Sequence, residues 1–301
     1  MTSRMKLVGT LVGLGAAWGL TQPLTKITVA TGYAPFGLIF WQLVIVSIFM
    51  AAIQLLLRKP FGLAWKHIDL YIAIAVLGTV FPNFISYRSA YFLPAGVMSI
   101  VIATVPMFAV PVAIGFGMEK PNLLRMVGIL AGALAIFLMI GPDAGLPPGI
   151  GPTIVLIALL APMSYAFEGN FLAWRGTGGL EPVQVLLGSS LVGVVLVMPL
   201  VWLTGGWVNA FKPWDVQLYA LLASSLLHGI AYSGYVWMVG KAGSVFAAQV
   251  SYLVTATGVC WSILILGESY SGWIWAAFVL MMVGIALVRP KTPESSIRAV
   301  S

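Results

Sequence analysis

Apolar runs of about 20 residues, each closed by a proline, a glycine or a charge, follow one another along almost the whole of this 301-residue chain. A run of that length crosses the ~30 Å hydrocarbon core of a bilayer as a helix, because in lipid each backbone N–H and C=O must find its partner inside its own segment. Windows at roughly 7–27, 35–57, 69–91, 95–117, 123–141, 152–174, 182–204, 216–239, 243–266 and 272–289 predict helices. The expected fold is all-α and integral to the membrane, with ten transmembrane helices. Short connections at Phe92-Leu93-Pro94, Gly240-Lys241-Ala242 and Gly267-Glu268-Ser269 force antiparallel hairpins. The composition agrees, since 60 % apolar and 8 % charged residues cannot furnish a water-facing surface. The basic stretch before Leu7 resembles the start of a secretory signal, but the apolar run reaches Ile27 and has a counterpart later in the chain, so it is read as helix 1.

The charges set an orientation. With a cytoplasmic N-terminus, twelve of the 15 basic residues fall on the inside (Arg4, Lys6, Arg58, Lys59, Lys66, Lys120, Arg125, Arg175, Lys241, Arg289, Lys291 and Arg298). Lys26, Arg88 and Lys212 fall outside. An even number of spans returns the C-terminus to the cytoplasm. This scatter of charge at helix ends accounts for the net +7 as membrane topology and gives no basis for a nucleic-acid partner. The single cysteine, Cys260, can form no intrachain disulfide.

The chain also repeats itself. Pro35 and Pro182, Trp18 and Tyr165, and Ala95-Gly96 and Ala242-Gly243 each stand 147 residues apart, and Glu119 and Glu268 end corresponding helices 149 apart. Residues 1–146 and 147–292 are read as two five-helix repeats, followed by a cytoplasmic tail at 293–301. Five is odd, so the second repeat enters the membrane inverted. Inverted repeats are typical of secondary transporters, which rock about a site near the midplane; duplication can also be purely architectural.

The ordered series Ala90-Tyr91, Ala95-Gly96, Val105-Pro106, Gly117-Met118-Glu119 and Gly128 has a partner series in Ala242-Gly243, Ser251-Tyr252-Leu253, Leu266-Gly267-Glu268 and Gly284. In this the chain resembles paired EamA domains of the drug/metabolite transporter superfamily. The resemblance implies ten helices, cytoplasmic termini, a bacterial inner-membrane location and transport of small metabolites, often as export of amino acids. It does not choose a cargo.

Polar side chains deep in a span must face protein or water, and few qualify here. Trp18, Tyr165 and His228 lie near the midplane of their windows, with Gln22, Asn83, Glu168, Tyr232 and Gln249 about one turn away. Tyr87, Arg88 and Tyr252 extend the same faces. Together these form the candidate substrate-binding set, suited to a cargo with an apolar body and a polar head. Each has a plainer reading. Trp18 and Tyr165 can fill space between helices, and Asn83 and Gln249 can be interhelical hydrogen-bond glue. Glu168 can exchange a proton, bind a cargo amine, or pair with Arg175. His228 can titrate or stay neutral in the core. Arg88 can receive a carboxylate or snorkel outward.

Gly9-x-x-x-Gly13, Gly15-x-x-x-Gly19 and Gly128-x-x-x-Gly132 allow close helix approach within the bundle or between copies. Pro106 predicts a kink or hinge. Trp41, Trp202, Trp207, Trp214, Trp273 and Trp275 sit near window ends as interface anchors. No cofactor or metal site is expected, since only His67 accompanies His228, and no phosphate-binding Gly-x-x-x-x-Gly-Lys motif occurs, so an ATP-driven pump is disfavoured. The composite expectation is a gradient-driven transporter of neutral or zwitterionic small molecules, with proton or counter-substrate coupling. A membrane-embedded enzyme, receptor or structural protein is the alternative.

Overall fold

The computed structural model describes residues 3–141, 146, 151–242 and 249–288. The tail at 293–301, Gly243, and Arg289, Lys291 and Arg298 lie outside the described residues. Within them the chain is helical without strands. The helices line up as rods: α1 Ser3–Val29, α2 Pro35–Leu56, α3 Trp65–Phe92, α4 Ala95–Gly115, α5 Leu123–Ile140, α6 Pro152–Arg175, α7 Pro182–Leu203, α8 Val216–Ala242, α9 Val250–Leu266 and α10 Gly272–Leu287. From α2 to α7, and in α1 from Met5, they are long and apolar enough to cross a bilayer; α9 and α10 are shorter apolar helices. The turn expected at Gly240-Lys241-Ala242 is absent, because α8 continues helical through Ala242.

The rod ends follow local chemistry. Pro35 and Pro182 occupy first-turn positions where no N–H is needed. Glu181 and Gln184 form a reciprocal capping box on α7. Asn122 Oδ1 accepts from the Leu124 and Arg125 amides to start α5. Gly267 ends α9 in the left-handed region at φ 65°, where an L side chain would be strained. Three rods are interrupted. α3 holds a π-helical turn at Val76–Val80, α4 breaks between Ile102 and Val105, just before Pro106, and α6 breaks at Leu159, three residues before Pro162. The kink predicted for Pro106 is therefore present.

The most extensive contacts between rods recur when the two halves are exchanged, although α1 also packs on α3 and α4. α1 packs on α8 and α9, as α6 packs on α3 and α4; α2 packs on α8, as α7 packs on α3; α2–α7 and α5–α10 pair across the exchange. Glycines carry the closest approaches. A Cβ on Gly15 would strike Leu253, and one on Gly19 would lie 2.8 Å from the Gly258 amide nitrogen, sealing α1 to α9. One on Gly128 would lie 2.8 Å from the Gly284 carbonyl at the α5–α10 crossing, and one on Gly132 would strike Met107 of α4. Gly9 and Gly13 have nothing within 4 Å of a built Cβ, so that pattern packs on no part of the described chain.

The bundle has two ends. The Leu93 end carries the α1–α2, α3–α4, α7–α8 and α9–α10 connections, and the Lys59 end carries α2–α3, α4–α5 and α6–α7. Trp202, Trp207, Trp214, Trp273 and Trp275 are exposed at the Leu93 end, whereas Trp41 is partly covered and donates its indole N–H to the Val208 carbonyl at 2.7 Å.

Candidate functional site

Three layers of polar and aromatic side chains succeed one another between the two ends. At the Leu93 end a cavity of 600 Å³ is lined by Tyr33, Phe36, Phe84, Tyr87, Arg88 and Tyr91 among others. Arg88 is exposed, and Phe36 and Phe84 stack with centroids 4.8 Å apart. The floor is Tyr87, which is buried.

Tyr87 opens the second layer. Its hydroxyl donates to Gln42 Oε1 at 2.8 Å, and Asn83 Nδ2 donates to the same oxygen at 2.8 Å. Tyr165 donates in turn to Asn83 Oδ1 at 3.2 Å. This chain joins α2, α3 and α6, and so joins the two halves. Spacing explains it: Asn83 and Tyr87 are one turn apart on α3, and the π-turn just before them sets the direction in which both point. The turn is braced from α6, where Ser164 donates to the Leu77 carbonyl at 2.8 Å. The Glu168 carboxylate lies against the same turn; a Cβ on Gly78 would sit 2.7 Å from its carboxyl carbon. Glu168 has no hydrogen bond or ion pair among the described residues, and it lies within electrostatic reach of Tyr165 and Tyr232. Pairing with Arg175 does not occur. Arg175 instead holds Asp69 bidentately, at 2.7 and 2.6 Å.

From α1 and α8 come the rings at this depth. Trp18 meets His228 edge-on at 5.9 Å and Tyr235 at 6.2 Å, and His228 stacks on Tyr232 at 6.4 Å. Trp18 also packs on the Leu11, Leu14, Met238 and Val250 cluster, so it fills space as well as facing the layer.

Tyr235 begins the third layer, a cavity of 270 Å³ toward the Lys59 end lined also by Glu119, Arg125, Asn170, Gln249 and Tyr252. Arg125 is buried and pairs with Glu119. Asn170 donates to the Ala109 carbonyl at 3.1 Å, tying α6 to α4. Gln22 stands apart from all three layers. It lies at the α1–α9 seam, where a Cβ on Gly258 would come 3.5 Å from its Cγ.

Gln42 and Asn170 are polar residues that sequence reasoning did not single out. Gln42 stands about two turns inside α2, so the depth argument applied to Asn83 reaches it as well. No group of three or more His, Cys, Asp or Glu that could hold a metal ion occurs among the described residues.

The comparisons with known proteins fit this arrangement. The uncharacterized inner membrane transporter YedA of Escherichia coli strain K12 is 23 % identical over 289 residues, covering 94 % of this chain and 90 % of that protein. Proteins of the same name from strains O6:H1 and O157:H7 match to the same extent. A solved structure, described as "Crystal structure of protein", superposes with a TM-score of 0.64 at 17 % identity over 97 % of this chain and 99 % of that one, a likeness that shows the fold alone. The EamA-like transporter family matches twice, over residues 5–141 and 152–289. A multi-pass membrane protein built on two such repeats, the chain belongs to the EamA-like transporter family.

Proposed function

We propose that the chain is a gradient-driven exporter of small neutral or zwitterionic metabolites, amino acids with apolar side chains among them, in a bacterial inner membrane. All ten rods cross the bilayer, the repeats at 1–146 and 147–292 are inverted, and both termini are cytoplasmic, so that the Leu93 end faces outward. The rod pairs that recur on exchange of the halves support the inversion, and the basic residues near the Lys59 end support the orientation.

One observation carries the reading: two cavities approach opposite sides of a single polar and aromatic layer built by both halves. A route closed at its middle by side chains from two rocking units is what alternating access requires. Along that route Arg88 and Tyr87 are met first from the outside. Asn83, Tyr165, Glu168, Trp18, His228 and Tyr232 follow, then Gln249 and Tyr252; Gln22 supports the seam beside them. Energy comes from a proton or counter-substrate gradient.

The test is flux of amino acids and related amphipathic metabolites in vesicles reconstituted with purified protein, under imposed pH and voltage gradients. Saturable flux that falls in Tyr165→Ala and Trp18→Ala supports the proposal. Absence of flux for every metabolite class under every gradient overturns it.

A further inference from the structure

Six acidic side chains are described, and five of them are engaged. Asp69 holds Arg175, Glu119 holds Arg125, and Glu181 holds Lys59. Asp215 accepts from Tyr33, and Glu268 accepts from the Ala95 and Gly96 amides. The sixth, Glu168, has no protein partner among the described residues, although it lies in the middle layer where an uncompensated carboxylate is most costly.

Cations around the bundle are committed elsewhere, Arg125 to Glu119 among them. Arg175, seven residues on, is held by Asp69, and Lys26 donates to the Ala90, Tyr91 and Leu93 carbonyls. Arg88 stands ten residues beyond Gly78 on α3, which puts it ~15 Å farther along the axis at 1.5 Å per residue. Arg88 lines the cavity at the Leu93 end, whereas Glu168 lies in the middle layer, so the two charges belong to different stations. At the depth of Glu168 the layer therefore presents one negative charge, with Tyr165 and Tyr232 beside it and His228 and Trp18 behind Tyr232 in the same ring cluster.

We propose that Glu168 is the recognition group for a protonated amine, and that the cargo is an organic amine with an apolar or aromatic body. The ammonium is held by the carboxylate, and the rings contribute cation–π attraction and apolar contact. Arg88 belongs to a separate, outer station. The inference rests on the transport reading above and extends its cargo from zwitterions to cations: among molecules sharing one body, the amine is preferred over the zwitterion and the acid.

The experiment uses the purified full chain in detergent and isothermal titration with three probes of one body, phenethylamine, phenylalanine and 3-phenylpropionate. Phenethylamine is expected to bind at least about tenfold more tightly than 3-phenylpropionate, with phenylalanine between them. Glu168→Gln should weaken phenethylamine by about tenfold or more and leave 3-phenylpropionate unchanged, while Glu168→Asp should restore amine binding to within roughly threefold. Tyr232→Leu, which leaves the carboxylate in place, should cost the amine several-fold and guards against a folding defect in the Glu168 variants.

Equal binding of amine and acid, no amine binding up to ~10 mM, or wild-type amine affinity in Glu168→Gln overturns the proposal. Binding is read without flux, so the two readings fail separately. An amine that binds through Glu168 but is never carried overturns transport and leaves the site standing.

Discussion

The two ends of the bundle are tied in different ways. At the Leu93 end the ties run from charged side chains to backbone. Lys26 Nζ donates to the Ala90, Tyr91 and Leu93 carbonyls at 2.7, 3.1 and 2.9 Å, closing the C-terminus of α3. Glu268 accepts from the Ala95 and Gly96 amides at 2.8 and 3.1 Å, closing the N-terminus of α4. A cation at one helix's negative end and an anion at the next one's positive end grip a single hairpin through both macrodipoles. Tyr270 adds its hydroxyl to Glu268 and lies against Gly96, where any Cβ would displace it. Burial and the bond to Glu268 both push the Tyr270 hydroxyl pKa up. Tyr33 completes the set, donating to Asp215 at 2.5 Å.

At the Lys59 end the ties are mostly between exposed side chains. Lys59 and Glu181, at 2.7 Å, are 43 % and 51 % exposed, and Asp69 in its pair with Arg175 is 56 % exposed. Solvent screens such pairs, so they contribute little. The repeat sharpens the contrast. Glu119 stands 149 before Glu268 at a corresponding helix end, yet Glu119 holds Arg125 where Glu268 holds two amides. Equivalent glutamates thus serve a helix end in one place and another side chain in the other. The ties at the Leu93 end are therefore expected to contribute more to stability than those at the Lys59 end.

That ordering can be broken by experiment. The largest loss is expected for Glu268→Ala, which leaves two amides of α4 without their anion; about 2–3 kcal/mol should disappear from unfolding in detergent. Lys26→Met should follow with about 1–2 kcal/mol, smaller because helix-end carbonyls retain some solvent access. If either variant matches wild type in a thermal or denaturant titration, the contrast between the ends is wrong.

Next in size is a pH effect confined to the Leu93 end. Burial alone would raise the Asp215 carboxyl pKa, but hydrogen bonds from Tyr33 and from the Leu218 and Gln217 amides hold it below the usual range. Its native value lies under the unfolded ~3.9, so its contribution is complete at neutral pH and is lost as the pH falls below about 4. Asp215→Asn should flatten the acid limb of the stability profile. An unchanged limb would remove Asp215 from the account.

The smallest effect belongs to the Lys59 end, where Lys59→Ala should cost no more than about 0.5 kcal/mol, and less still in high salt. A loss approaching that of Glu268→Ala would erase the distinction.

Much of the fold is legible in the sequence because lipid leaves few choices: a helix must start and stop where the apolar run does, and Pro35, Pro182 and Gly267 mark those places. Depth along a helix was legible for the same reason, which is how Asn83, Tyr87 and Tyr165 could be grouped before their hydrogen bonds were seen. Direction around the helix was not. The sequence places Gln22 and Trp18 on one face of α1, but α1 is sandwiched between α8 and α9, and the two side chains meet different neighbours. Glu268 announced the end of a helix, whereas its partners lie 172 and 173 residues away in the other repeat, a distance no local pattern spans. Glu168 is recognisable in the sequence as a deep acid, but its lack of a partner depends on Asp69, 106 residues from Arg175, taking that cation.

The π-turn at Val76–Val80 carries a consequence for how α3 tolerates change in length. A turn wound with one residue too many shifts the angular phase of everything after it by about 100°, the rotation of a single helical residue. Deleting one residue there would let the rod relax into uniform winding and swing Asn83, Tyr87 and Arg88 away from Gln42 and Tyr165, while Asp69 and Tyr71 before it kept their places. In this rod a supernumerary residue works as a phase setting between the half toward the Lys59 end, which anchors, and the half toward the Leu93 end, which lines the cavity.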